Sequence, residues 1–238
     1  MRVMTYNIRH GLGNESLNGG GIVDLERIAS VIRSQNPDIV AIQEVDRFWA
    51  RSNLSDQPAD LARILGMDAR FAPNLIVSPA AHDHLPGEYG VLVLSKLPIN
   101  SSKHERFPVV EHFEPRGFIE VRIGLDGVAP LAVFCTHLEV GNRKDPAESV
   151  RLRAEQAGIL ASRVSSIGVP SIVMGDFNAQ SDDQELAALL GPESPVQDAW
   201  AVAGGPENGM TIPASPAEPA NRRIDFILAS RDLTVSGA

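Results

Sequence analysis

Two stretches of this chain follow one plan, and that plan restricts the fold more than any other feature. From Leu25 to Glu44, apolar residues at helical spacing (Leu25, Ile28, Ala29, Ile32) run to Pro37, then to the apolar run Asp38–Val45 with an acid near its end. From Val150 to Asp176, a face of Val150, Ala154, Ala157, Ala161 and Val164 runs to Pro170, then to Ser171-Ile172-Val173-Met174-Gly175-Asp176, apolar again and closed by an acid again. Proline ends a helix, and an uninterrupted apolar run bounded by proline and glycine reads as a buried strand. Asp24 caps the first helix. Asp145-Pro146-Ala147-Glu148 opens the second with a cap, a proline at the first helical position and a glutamate able to reach back. Two such units, with antiparallel-looking strands between them, imply helices packed outside a mixed sheet core.

The rest of the chain supplies those strands. Met1–Ile8 reads as a strand, Gly11–Gly21 as a loop, and Pro58 opens a short helix (Leu61, Ile64, Leu65) closed by Gly66. Pro73–Gly87 reads as loop, Gly90–Ser95 as a buried strand, Gly117–Leu125 as a half-buried strand, and Leu131–Cys135 as a strand leading into Thr136-His137-Leu138. Ser181 is placed to cap a helix ending at Gly191, Gly204–Asn221 lacks a core of its own, and Arg223–Leu228 is the last strand. No linker-like break in composition divides the chain, so residues 1–238 form one domain. With 238 residues, 43% hydrophobic and 21% charged, it can bury a large core.

Composition also narrows the function classes. No apolar run is long enough to span a membrane, and Arg2–Tyr6 reads as a strand rather than a signal peptide. Cys135 is the one cysteine, which excludes an internal disulfide and a cysteine-based zinc site and points to a reducing cytoplasm. A net charge of -9 argues against holding nucleic acid by charge alone. It leaves open metal-assisted work on phosphates, because a bound cation reverses the local field. No basic stripe is interleaved with aromatics; Trp49 and Arg51 come nearest to a stacking patch.

Polar residues interrupt apolar strands at their ends in Asn7, Glu44, His137, Asp176 with Asn178, and Asp225. Each alone is an ordinary turn, cap or structural histidine. Together they occupy equivalent positions, and strand ends at one sheet edge converge on one cleft. A carboxylate beside an amide, as in Asp176 and Asn178, suits a hard divalent cation or a water that must lose a proton; Gly-Asp-Phe-Asn also reads as a plain turn.

Thr5-Tyr6-Asn7-Ile8, Gln43-Glu44-Val45, Tyr89-Gly90 through Leu94-Ser95-Lys96, Thr136-His137-Leu138, Gly175-Asp176-Phe177-Asn178-Ala179, Asp198-Ala199-Trp200 and Arg223-Ile224-Asp225-Phe226-Ile227 follow one another in the order of the endonuclease/exonuclease/phosphatase (DNase I-like) superfamily. From Met1 to about Ser230 the chain resembles that family. The resemblance implies an α/β four-layer sandwich, two mixed β-sheets face to face with helices outside, and magnesium-dependent cleavage of phosphate esters, mostly diesters. By the same resemblance Glu44 is the main magnesium ligand with Asn7 beside it, and Asp176 and Asn178 complete the metal and water site. Manganese would serve as a substitute for magnesium. His137 then donates to the phosphate, Glu88 or Tyr89 orients His137 or touches the phosphate, Arg116 is a phosphate fork, and Asp225 buttresses the site.

Two departures from the family pattern stand out. Arg9 sits where some family nucleases carry an acid. The family also closes on a strand bearing Ser-Asp-His, whose histidine pairs with an aspartate at the place of Asp198, whereas this sequence ends at Thr234–Ala238 ahead of that motif. His10, His82, His84, His104 and His112 all read as lying in or next to loops. The expectation is therefore a C-terminally incomplete domain with Asp198 left without an imidazole. Two readings follow: a phosphodiesterase or nuclease acting on nucleic acid, a phospholipid head group or a small metabolite, or a catalytically impaired binding module with the same fold. Neither requires an obligate protein partner.

Overall fold

The computed structural model describes residues 1–12, 22–79, 81–82, 85–142, 144–205, 209–213 and 218–237. The two repeated stretches form two crossover units. In the first, β1 (Val3–Asn7) and β2 (Ile39–Arg47) pair in parallel, with Asn7 opposite Gln43, and α1 (Leu25–Gln35) connects them. Asp24 accepts from the Arg27 amide at 2.9 Å to start α1, and Asn36 in a left-handed conformation ends it. In the second, β7 (Leu131–His137) and β8 (Ser171–Asp176) pair in parallel, with His137 opposite Asp176, through α3 (Pro146–Ser165). Parallel neighbours need such a crossover, because a tight hairpin can join only antiparallel strands.

The remaining elements are α2 (Gln57–Leu65), β3 (Asp68–Val77), β4 (Gly87–Ser95), β5 (Ile99–Arg106), β6 (Gly117–Ile123), α4 (Ala187–Leu190), β9 (Val196–Asp198), α5 (Ala199–Val202), β10 (Ile212–Pro213), β11 (Ala220–Arg222) and β12 (Asp225–Ser230). One sheet has the order β1-β2-β4-β3, a second the order β5-β6-β7-β8-β12-β9, and β10 and β11 form a small ribbon. Between the sheets lie Ile39, Ala41, Val91 and Val93 from one and Ile119, Val121, Val133, Cys135 and Met174 from the other. Ile28, Ile32 and Leu61 of α1 and α2 cover the outer face of the first sheet through Val40, Ile42 and Leu92. Ala157, Leu160 and Val164 of α3 cover the second through Phe134, Val173 and Phe226. The result is the four-layer α/β sandwich with two mixed sheets face to face. Among the described residues, no helix is long and apolar enough to cross a membrane.

The structure departs from the sequence-based expectation in several places. The segment Pro73–Val77 continues β3 instead of forming a loop. Pro73 is tolerated because β3 is an edge strand and its pairing with β4 shifts register between Pro73 and Leu75. The polar strand β5, INSSKHER, is another edge strand, and it carries His104, which bonds Asn74 at 3.0 Å. Ser181 caps no helix: Asp183 precedes a single 3₁₀ turn, Gln184–Leu186, that leads into α4. In α3, Val150 and Ala154 face solvent, while Leu152, Arg153 and Gln156 turn inward. Those polar groups are buried with partners, Gln156 accepting from the Glu139 amide at 2.9 Å and Arg153 reaching Glu185 at 2.8 Å. Glu148 turns to Arg151 rather than back to the cap. The expected loops at Gly11–Gly21 and Gly204–Asn221 lie partly outside the described residues, as does His84; within the second, Ile212–Pro213 pairs with Ala220–Arg222.

Candidate active site

In the first unit the strand end is irregular. Ile42 stands opposite Leu92 and Val45 opposite Gly90, so β2 carries one residue more than β4 across this interval. Glu44 occupies that β-bulge with φ of +58°, a left-handed conformation uncommon outside glycine. The bulge lets adjacent residues serve different places. Gln43 turns between the sheets, donating to Thr5 Oγ1 at 3.1 Å and to Cys135 Sγ at 3.4 Å. Glu44 reaches the cleft, where Asn7 Nδ2 donates to its Oε1 at 2.8 Å.

In the second unit the strand ends are regular. Gly175 lies opposite Thr136, and a Cβ at that position would stand 2.2 Å from the Thr136 carbonyl oxygen, so only glycine permits this approach. Asp176 follows directly. Its Oδ2 accepts from Asn7 Nδ2 at 3.0 Å and lies 3.7 Å from His137 Nε2. Its Oδ1 accepts from the Asn178 amide at 3.0 Å. Asn178, with φ of +53°, also donates from Nδ2 to the Leu138 carbonyl at 3.1 Å, tying this turn to the end of β7. Asn7 thus joins an acid of one sheet to an acid of the other.

The other expected residues divide into two groups. Asp225 stands opposite Asp176 on β12, and Tyr89 is buried beside Glu44 and Arg116. Arg116 is buried too, with Nη1 2.9 Å from His137 Nδ1 and 2.9 Å from Glu114 Oε1. Glu88 instead pairs with Arg47 at 2.6 Å, on the neighbouring strand. Asp198 caps α5 by accepting from the Trp200 amide at 3.1 Å and binds Arg223, whose guanidinium lies over Phe226. Asp198 is thus paired with a cation. Sequence reasoning missed His10 and Glu114 as neighbours of the site, and read Arg51 only as half of a stacking pair with Trp49. His10 Nδ1 is 3.8 Å from Glu44 Oε2, beyond hydrogen-bond reach, and among the described residues it is buried without another partner. Glu114 holds Arg116. Arg51 is gripped through two bonds by buried Asp46 and lies over the Trp49 ring at 3.8 Å from its centroid. Asn7-Ile8-Arg9-His10 and Glu114-Pro115-Arg116 were the available signals.

Burial dominates the electrostatics. It pushes the Asp176 carboxyl up to about 7, with the Asp225 charge adding to the effect and the Asn7 bond opposing it. Burial raises Asp225 as well, against its bond with Thr211. Burial and then the Arg116 charge hold His137 well below the usual histidine range. Burial and then Arg51 lower His10, and burial with the nearby Glu44 charge raises Tyr89, which stays a neutral phenol.

The donor set suits a hard divalent cation. Glu44 and Asp176 offer carboxylate oxygens, and the Asn7 N–H group that bridges them marks where positive charge is favoured, while Asn7 Oδ1 accepts from the Arg9 amide at 3.1 Å. Among the described residues, no group of three or more His, Cys, Asp or Glu side chains could hold a metal by itself. A cation here would lean on one carboxylate, an amide, water and substrate oxygens, a pattern magnesium accepts.

The fold has counterparts among solved structures. An endonuclease/exonuclease/phosphatase from Beutenbergia cavernae is 25% identical with a TM-score of 0.72; the match covers 97% of this chain and 64% of that one. This chain therefore spans less than two thirds of that relative's length. A mannosyl-6-phosphatase from Bacteroides thetaiotaomicron is 18% identical with a TM-score of 0.72, covering 98% and 86% of the two chains. Truncated TDP2 from Caenorhabditis elegans is 22% identical with a TM-score of 0.66, covering 96% and 82%. A search of curated proteins found no match. The family model described as endonuclease/exonuclease/phosphatase matches residues 4–238, the span that holds both crossover units and every residue of the cluster. This chain belongs to the endonuclease/exonuclease/phosphatase family.

Proposed function

We propose that this protein is a phosphoesterase that hydrolyses phosphodiesters by attack of water, with a divalent cation, magnesium or manganese, as cofactor. The observation that carries the reading is the amide of Asn7, which holds Glu44 of one sheet and Asp176 of the other at 2.8 and 3.0 Å, with His137 Nε2 3.7 Å from the same Asp176 oxygen. Members of the family generally depend on a divalent metal. Held by Glu44 and Asn7, the cation would neutralise charge on the phosphate, which otherwise repels an oxygen nucleophile. Asp176, already pushed up to about 7, suits a general base near neutral pH. It orients a water and takes its proton as the new P–O bond forms and the bond to the leaving oxygen breaks. Asn178 keeps one Asp176 oxygen fixed while the other serves the water. His137 hydrogen-bonds a phosphoryl oxygen, and the Tyr89 phenol lines the same cleft. Arg116 backs the His137 ring on that side of the cleft, and Asp225 and Asp198 brace the strands behind it.

One solved neighbour is a mannosyl-6-phosphatase, which keeps sugar monoesters beside nucleic acid, phospholipid head groups and small diesters among the substrates to test. The test is a turnover screen with magnesium over a chromogenic phosphodiester, duplex DNA, RNA, sphingomyelin and mannose 6-phosphate. Hydrolysis of at least one, abolished by chelation, is the expected outcome. Cation binding without turnover of any would sink the reading and favour a binding module with this fold.

A further inference from the structure

His137 has two ring nitrogens in different surroundings. Nε2 faces Asp176 Oδ2 at 3.7 Å, beyond hydrogen-bond reach, so this nitrogen is not committed to the carboxylate. Nδ1 faces Arg116 Nη1 at 2.9 Å. A guanidinium in a protein stays charged and only donates. The atom facing it must therefore accept, so Nδ1 carries a lone pair. A proton on Nδ1 would set N–H against N–H at hydrogen-bond distance.

Arg116 is fixed in this role from several sides. Glu114 Oε1 holds the same Nη1 at 2.9 Å. The Arg116 carbonyl accepts from the Phe107 amide at 2.9 Å. Gly117, next in the chain, lies opposite His137, and a Cβ there would stand 2.5 Å from the Glu105 carbonyl oxygen and 2.6 Å from Asn74 Oδ1. The backbone beside Arg116 therefore has little room to shift.

The geometry points to Arg116 as the positioning residue that fixes His137 as the Nε2–H tautomer, so that the ring enters the reaction as a hydrogen-bond donor and not as a base. The inference deepens the phosphoesterase reading and rests on it for what the ring acts upon. It differs from direct phosphate contact by Arg116, because the guanidinium then acts only through the imidazole.

The first measurement needs no substrate. Protein labelled with ¹⁵N in its histidines is examined at neutral pH by long-range proton–nitrogen correlation, with His137→Gln assigning the ring. The expected spectrum has a bare Nδ1 and a protonated Nε2. It persists in Glu114→Gln and Arg116→Lys, which keep an obligate donor, and gives way to mixed tautomers in Arg116→Met. A protonated Nδ1 in the unaltered protein overturns the proposal even if Arg116→Met fails to fold. The second measurement is steady-state turnover of a chromogenic phosphodiester with magnesium. Removing an orienting partner typically lowers activity about 10- to 100-fold. The expected loss in Arg116→Met lies in kcat with KM little changed, and Arg116→Lys recovers most of it. A raised KM with unchanged kcat overturns the proposal and returns Arg116 to direct phosphate contact. A locked tautomer in a protein that turns over nothing sinks the phosphoesterase reading alone; the wrong tautomer in an active enzyme sinks this inference alone.

Discussion

The two crossover units are built alike and finish differently. In the second, His137 and Asp176 are direct register partners on straight strands, with side chains only 4% and 8% exposed. In the first, Asn7 registers with Gln43, and the acid that reaches the cleft is one residue further on, in a bulge, with its side chain 23% exposed. The difference is chemical. Regular strands desolvate an acid and an imidazole, which moves their proton affinities toward neutral forms. The bulge instead presents a carboxylate to the open cleft, where an exchangeable cation can reach it. One plan thus yields two unlike edges, which the proposed function assigns to proton handling and to the cation.

The comparison breaks most decisively at Asp176. Asp176→Asn keeps the shape and removes the base, so turnover of a chromogenic phosphodiester should fall about 100- to 10,000-fold with the melting temperature at pH 7 no lower than before. Near-normal turnover would remove the base from the second unit. At the other edge, Glu44→Gln should weaken magnesium or manganese binding by calorimetry at least about tenfold, or about 1.4 kcal/mol, without unfolding the chain. Unchanged affinity would mean that the first unit is not the cation-facing edge.

Dependence on pH sharpens the contrast. Asp176 is raised from its ordinary value to about 7 in the folded chain, so its contribution to stability is fully present below the unfolded carboxyl value of 3.8 and is lost as pH rises through about 7. His137 acts the other way: held below 6.5 in the folded chain, it contributes stability above 6.5 that is lost as pH falls. Thermal melts of the metal-free protein should therefore show opposed limbs. Asp176→Asn should flatten the limb that falls toward pH 7 and leave the acid limb, and added magnesium should raise the melting temperature more at pH 8 than at pH 5.5. Equal shifts at both values would show that the cation does not relieve the buried acids. The smallest effect concerns the bulge. Residues held left-handed cost about 1–3 kcal/mol, so Glu44→Gly should remove the acid without destabilising the chain, and by up to about 1 kcal/mol in its favour. A clear drop in stability on denaturant titration would mean that the Glu44 side chain, rather than the backbone, maintains the bulge.

Much of this was legible in the sequence, for a physical reason. Buried strands read as near-continuous apolar runs, so the polar residues that break or end β2, β7 and β8, Glu44, His137 and Asp176, stand out. Edge strands carry no such mark. Pro73–Val77 and the polar Ile99–Arg106 pair on one side only, and their sequences look like loop. Cross-strand partners were also hidden. Arg116 meets His137 because Gly117 stands opposite it in register, and Arg223, just ahead of β12, meets Asp198 across 25 positions of sequence; the sequence spells out neither contact. The inward face of α3 was misread because Gln156 and Arg153, polar by composition, are buried with partners.

The Asn7 amide that spans both sheets bears on how the protein is made. A ribosome that has completed β6 has already produced Asn7, Glu44 and Arg116, but neither His137 nor Asp176. The nascent chain thus holds Glu44 with neither His137 nor Asp176 opposite. The cluster is complete only once β8 has emerged and docked, so under the proposed function activity toward phosphate esters is itself a report that both halves of the molecule have been synthesised and packed.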